Sequence, residues 1–190
     1  MVMILDAFET LYDGEPPEWL RKVEAEALME VFARAFDVEA PELDSFAADE
    51  ALAAFREFTA ACMGAASEDA DVAARYRERL GEGAYDLGAK VRALLMVRRS
   101  QALHVTRFFY RGIGIELTGE LPGALRFGPC FFAERYTPAN CWFMSAFDEG
   151  FMRGMMGDRK SACSLSFSCR LTEGADCCRA RMDRGEANRE

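Results

Sequence analysis

Residues 163–182 read CSLSFSCRLTEGADCCRARM, and this stretch decides the fold. From Cys163 to Arg170 two kinds of side chain alternate: Cys163, Leu165, Phe167 and Cys169 share one face, Ser164, Ser166, Ser168 and Arg170 the other. A period of two marks a half-buried strand. Cys178 to Met182 alternates in the same way, and Thr172-Glu173-Gly174 supplies a turn between them. The spacing therefore predicts an antiparallel hairpin. Its apolar face turns to the core, which points Cys178 inward with Ala180 and Met182, and Cys177 outward with Arg179 and Arg181. Cys169 and Cys178 flank the turn and can face each other across it.

Upstream, residues 137–157 read TPANCWFMSAFDEGFMRGMMG. Thr137 is a good N-cap, Pro138 suits the first turn and Gly157 suits the stop, so one long helix is predicted. At helical spacing, Cys141, Met144, Asp148, Phe151, Met152 and Met155 form one stripe. Most of these are large and apolar, so the stripe is expected to be buried. Glu149 points away from it and is expected to be exposed. A buried carboxylate without a partner costs several kcal/mol or gives up its charge. Asp148 thus needs an arginine, backbone donors or a metal ion; a structural salt bridge or hydrogen bond is the plainer reading. If this helix packs on the hairpin, Cys141, Cys169 and Cys178 converge, with Asp148 nearby. Three thiolates and a carboxylate would suit one zinc ion. The alternative is that the thiols serve as small buried hydrophobes.

Farther upstream, residues 113–117 read as a short strand, Glu120 to Gly123 as a turn, and Leu125 to Phe132 as extended chain interrupted at Gly128-Pro129. The first half is helical: Glu18 to Phe36, Asp49 to Cys62, Asp69 to Leu80 with Gly81 as its stop, and a further helix from about Ala84. The expected fold class is α+β: an N-terminal helical portion packed with a small antiparallel sheet and one long covering helix. Residues 1–112 form the helical portion, 113–183 the sheet and helix that bear the site, and 184–190 a frayed tail, together one compact domain.

Composition narrows the function. The 190 residues carry a formal net charge of −9 and are 51% hydrophobic. An acidic chain is a poor match for nucleic acid, which needs clustered Lys and Arg. No apolar run reaches the roughly 20 residues that span a bilayer. Met1 to Asp13 holds three acids and no base, unlike a secretory signal, so a cytoplasmic location is expected. Seven cysteines, an odd number with six beyond residue 129, favour a metal or thiol site over a disulfide framework. His104 is the single histidine, which excludes His-rich zinc sites. Arg107 and Arg111 lie one helical turn apart beside Tyr110; such a pair clamps a carboxylate ligand or is simply a solvated face. Tyr136 joins Arg107, Arg111 and Tyr110 as a candidate substrate-binding residue.

The segment Gly174-Ala175-Asp176-Cys177-Cys178-Arg179, following a strand that ends at Cys169, resembles the closing hairpin of the 4-vinyl reductase domain family. Cys141-Trp142, Gly150-Phe151 and Gly157 resemble that family's central helix. Its members bind small molecules, notably in bacterial sensors of aromatic compounds. The layout also resembles the L-2-amino-thiazoline-4-carboxylic acid hydrolase family, with a helical first half and a closing hairpin like Leu171 to Cys178. The first resemblance implies zinc on three Cys and a Glu. Cys141 and Cys178 match and Cys169 matches with an offset of one residue, but the Glu position falls at or beside Ser166, so Asp148 or another group would have to complete the set. The second implies hydrolytic opening of a small cyclic amidine. Asp148 would be its general base, Cys141 or Cys178 its nucleophile or metal ligand, and Arg107 or Arg111 the partner of the substrate carboxylate. The rival function is a non-catalytic small-molecule-binding or sensing domain. Either takes a small-molecule partner, and a homodimer is compatible with both.

Overall fold

The computed structural model describes residues 14–158 and 163–184. The frayed tail expected at 184–190 lies, from residue 185 on, outside the described residues, as does the segment 1–13. Five helices precede or interleave four strands: α1 Glu18–Phe36, α2 Ala48–Ala66, α3 Ala70–Leu94, α4 Ala102–Gly112, β1 Ile115–Gly119, β2 Gly123–Cys130, α5 Pro138–Met156, β3 Cys163–Cys169 and β4 Cys178–Arg184. The strands form one antiparallel sheet in the order β1-β2-β4-β3. The fold is α+β.

Local chemistry sets the helix ends. The Asp69 carboxylate accepts from the backbone N–H groups of Asp71 and Val72, and so starts α3. Thr137 Oγ1 accepts from Asn140 N–H at 3.2 Å, while Asn140 Oδ1 accepts from Thr137 N–H at 2.8 Å. This reciprocal cap, with Pro138 in the first turn, starts α5.

The predicted stop at Gly81 does not occur: α3 runs through it to Leu94. It is the backbone oxygen of Gly81, inside the helix, that α5 approaches closely. A Cβ on Gly150 would run into Gly81 O, one on Gly154 into Tyr85 O, and one on Gly88 into Phe151 O. Small residues thus let the α3 and α5 backbones touch, and α5 becomes a central helix. Phe143, Phe147, Phe151, Met152 and Met155 bury against the helices, and Asp148 lies on its sheet-facing side. Glu149, expected to be exposed, is half-buried instead: it accepts from Leu165 N–H at 3.0 Å and pairs with Arg153, tying α5 to β3.

The hairpin forms in the expected region, with Leu165 opposite Met182 and Phe167 opposite Ala180. Two bulges then rearrange the cysteines. On β3 the register steps from Phe167↔Ala180 to Cys169↔Arg179, one extra residue on β3. Directly opposed residues share a face, so Cys169 leaves the core face and joins Arg179. On β2 the register steps from Leu117↔Phe127 to Ile115↔Cys130, with the extra residue at Gly128-Pro129. There the bulge returns Cys130 to the inner face beside Ile115. Gly128 adopts a φ of 150°, and Pro129 has no ladder donor to lose. Cys177 is outward as expected but fully buried, its Cβ against Gly128, where no side chain fills the space.

Candidate functional site

Between α5 and the inner sheet face lies a cavity of about 50 Å³. Apolar groups make most of its wall: Ile115, Phe127, Phe132, Met144 and Phe167, with the ring of Tyr136. Its chemistry comes from Asp148, Arg170, Cys130, Cys141 and Cys178. The α5 stripe delivers Cys141 and Asp148, β4 delivers Cys178 beside its inward neighbour Phe127, and the β2 bulge delivers Cys130.

Asp148 is buried, and Tyr110 donates its hydroxyl to Asp148 Oδ1 at 2.5 Å. Burial pushes this carboxyl up to about 7, against the Tyr110 hydrogen bond and the Arg170 charge, which both lower it. The acid therefore changes charge near neutrality, the range in which proton transfer to or from a ligand is easiest. Burial, then the neighbouring Asp148 charge, holds the Tyr110 phenol well above its ordinary range.

The three thiols are pushed the other way from reactivity. Burial raises Cys130 to about 12. It also raises Cys141, opposed by the Thr172 hydroxyl beside it, whose geometry falls short of a full hydrogen bond. Cys178 is raised by burial as well, although its Sγ accepts from Leu171 N–H at 3.3 Å. Thiolate, the form that attacks carbon or binds a metal, is scarce in such surroundings.

Arg170 is the cavity's cation. Its guanidinium stacks 4.9 Å from the centroid of Phe167 and reaches Glu173 through Nη1 at 3.4 Å. Its Nε is buried and has no hydrogen-bond partner among the described residues. One donor thus remains unused on a residue that lines the cavity.

Of the residues singled out from sequence, Asp148, Cys141, Cys178 and Tyr136 line the cavity, and Tyr110 backs it through Asp148. Tyr136 is anchored by its hydroxyl 2.5 Å from Thr59 Oγ1. Cys169 does not line it; the β3 bulge turns its Sγ to donate to Cys177 O at 3.5 Å. Arg107 and Arg111 are elsewhere too. They line a separate cleft with His104, Glu116 and Thr118, donating to Gly119 O and Gly14 O. With Tyr110 turned to Asp148, the two arginines share that cleft and do not reach the Asp148 cavity. Arg170 and Cys130 were missed. The Gly128-Pro129 interruption was the available sign for Cys130, whereas nothing in strict alternation marks Arg170 as inward.

Zinc gains no support from this geometry. Among the described residues no group of three His, Cys, Asp or Glu side chains is gathered as a metal site, and Cys169, one of the expected ligands, does not line the cavity. No helix of the described residues is long and apolar enough to cross a membrane. Compared with known proteins, the chain matches no family model, no curated protein and no solved structure.

Proposed function

We propose that this chain is a small-molecule-binding domain whose ligand seat is the cavity under α5. The supporting observation is the isolated acid: Asp148, its charge poised near neutrality, faces an otherwise apolar space with one unused guanidinium donor. A mostly apolar wall with a few fixed polar groups is how small-ligand sites obtain both affinity and orientation. The matching ligand is compact and largely apolar. It carries a protonatable or hydrogen-bond-donating nitrogen for Asp148 and, where an anionic group is present, offers it to Arg170. A cyclic amidine carboxylate has both features. About 50 Å³ holds only a few atoms, so such a ring enters by displacing the flexible Met144 side chain.

A hydrolytic reading stands second, and the same acid carries it. The Asp148 carboxylate would take a proton from water as oxygen bonds to the amidine carbon. The ring C–S bond of a thiazoline would then break as the new hydroxyl becomes the carbonyl; the proton held by Asp148 passes to sulfur and the hydroxyl proton to the former ring nitrogen, leaving a thiol and an N-carbamoyl group. The protonated cysteines take no part in this step.

Calorimetry with 2-aminothiazoline and its 4-carboxylate, combined with a free-thiol assay, tests both readings. Saturable binding that Asp148→Asn weakens about tenfold, without thiol release, is expected. Thiol release abolished by Asp148→Asn would favour hydrolysis. Absence of both binding and release would overturn the two readings together.

A further inference from the structure

A second cavity, of about 300 Å³, opens among α1, α3, α4 and α5. Leu87 and Val91 of α3, Phe109 and Tyr110 of α4 and Phe151 of α5 line it, and the exposed Val23 and Leu94 stand at its rim. Its volume is at the lower edge of ordinary small-ligand sites, about six times that of the Asp148 cavity.

One acid sits in this apolar space. Glu24 lines the cavity, and its Oε2 is shielded from solvent with no hydrogen-bond partner among the described residues. That oxygen lies against Gly112, where a Cβ would run into it, so an ammonium meets the carboxyl group from its cavity side. The nearest cation, Arg21, is engaged elsewhere, its Nε donating to Gly112 O at 3.1 Å and its Nη2 pairing with Asp49 at 2.6 Å. A buried acceptor left unpaired costs about 1–3 kcal/mol, so a partner brought by a ligand recovers what folding has left unsatisfied. Burial meanwhile holds the Glu24 carboxyl well above its ordinary range.

We propose that this cavity binds a small apolar primary amine, its ring or alkyl body against Leu87, Val91 and Phe109 and its ammonium on Glu24. Lys90 at the rim offers the opposite possibility, an apolar anion, and the test separates the two.

Benzylamine, toluene and benzoate are titrated into the unmodified chain, followed by the amide NMR shifts of residues 87–95. Benzylamine is expected to saturate at least tenfold more tightly than toluene, with benzoate weaker still. Glu24→Gln is expected to remove that preference while leaving toluene binding unchanged. Glu30→Gln, which neutralises an exposed acid of the same helix outside both cavities, is expected to change benzylamine binding less than threefold. Equal binding of all three compounds, a preference for benzoate, no binding, or loss of the amine preference in Glu30→Gln would each overturn the proposal. The series on the unmodified chain decides the matter even where a variant folds poorly.

Discussion

Asp148 is a buried acid and Glu24 a half-buried one whose Oε2 is shielded from water, and what separates them is one hydroxyl. Asp148 receives the Tyr110 proton donor and feels Arg170 across its cavity. Glu24 Oε2 has no hydrogen-bond partner among the described residues, and Arg21 acts on it through its charge alone. The first acid is held through Oδ1 by the fold's own hydrogen bond while it lines its cavity; the second lines a cavity with its Oε2 unsatisfied by any described residue. A buried polar group that is satisfied specifies structure, whereas one left wanting marks a place where something else belongs.

The coarsest way to break the comparison is to break the frame both acids share. Gly150→Leu places a side chain where Gly81 O lies and forces α3 off α5. It is expected to cost about 4 kcal/mol or more, and a urea titration should find the variant largely unfolded.

Next comes the titration of Asp148. Its folded-state value of about 7 lies above the ordinary 3.8, so the folded protein binds the proton more tightly than the unfolded chain does. This group's contribution is therefore complete below about pH 4 and is lost as pH rises through 7. Asp148→Asn cannot lose it. The variant is expected to gain on the parent by up to about 4 kcal/mol between pH 4 and pH 8. Parallel stability curves for the two proteins would remove Asp148 from the account.

Tyr110→Phe sharpens the contrast by making Asp148 resemble Glu24. The expected loss is about 1–3 kcal/mol in stability, with the Asp148 carboxyl titrating still higher by carbon-detected NMR. The smallest effect is on the other acid. Glu24→Leu removes a carboxyl whose Oε2 has no partner among the described residues and adds apolar surface, so denaturant melts should show a gain of about 1 kcal/mol. The same change at Asp148 should destabilise, because Tyr110 would then be the unpaired group.

Much of the fold was legible in the sequence because it rests on periodicity. The α5 cap at Thr137, its stop at Gly157 and the alternation of β3 and β4 are all local signals. The α5 stripe likewise placed Cys141 and Asp148 together. What failed was what periodicity does not carry. A bulge shifts every later residue to the opposite face, so strict alternation put Cys169 inside and gave no reason to look for Cys130 there. Gly81 reads as a terminator because glycine ends helices, yet α3 runs through it, held there by packing against Gly150, distant in sequence. The Arg107–Arg111 pair has clamp spacing, but rotation of α4 about its axis is set by the Tyr110–Asp148 bond, a contact that no local pattern reveals. Glu24 went unremarked because an acid on an amphipathic helix ordinarily faces solvent.

Tyr110 is a party wall. One side of its ring borders the larger cavity, and its hydroxyl grips the acid of the smaller one. Whatever leans on the ring from one room alters the grip felt in the other, and thermodynamics makes that influence mutual. Two tenants of this protein would therefore not be strangers: the affinity measured for either would depend on whether its neighbour were at home.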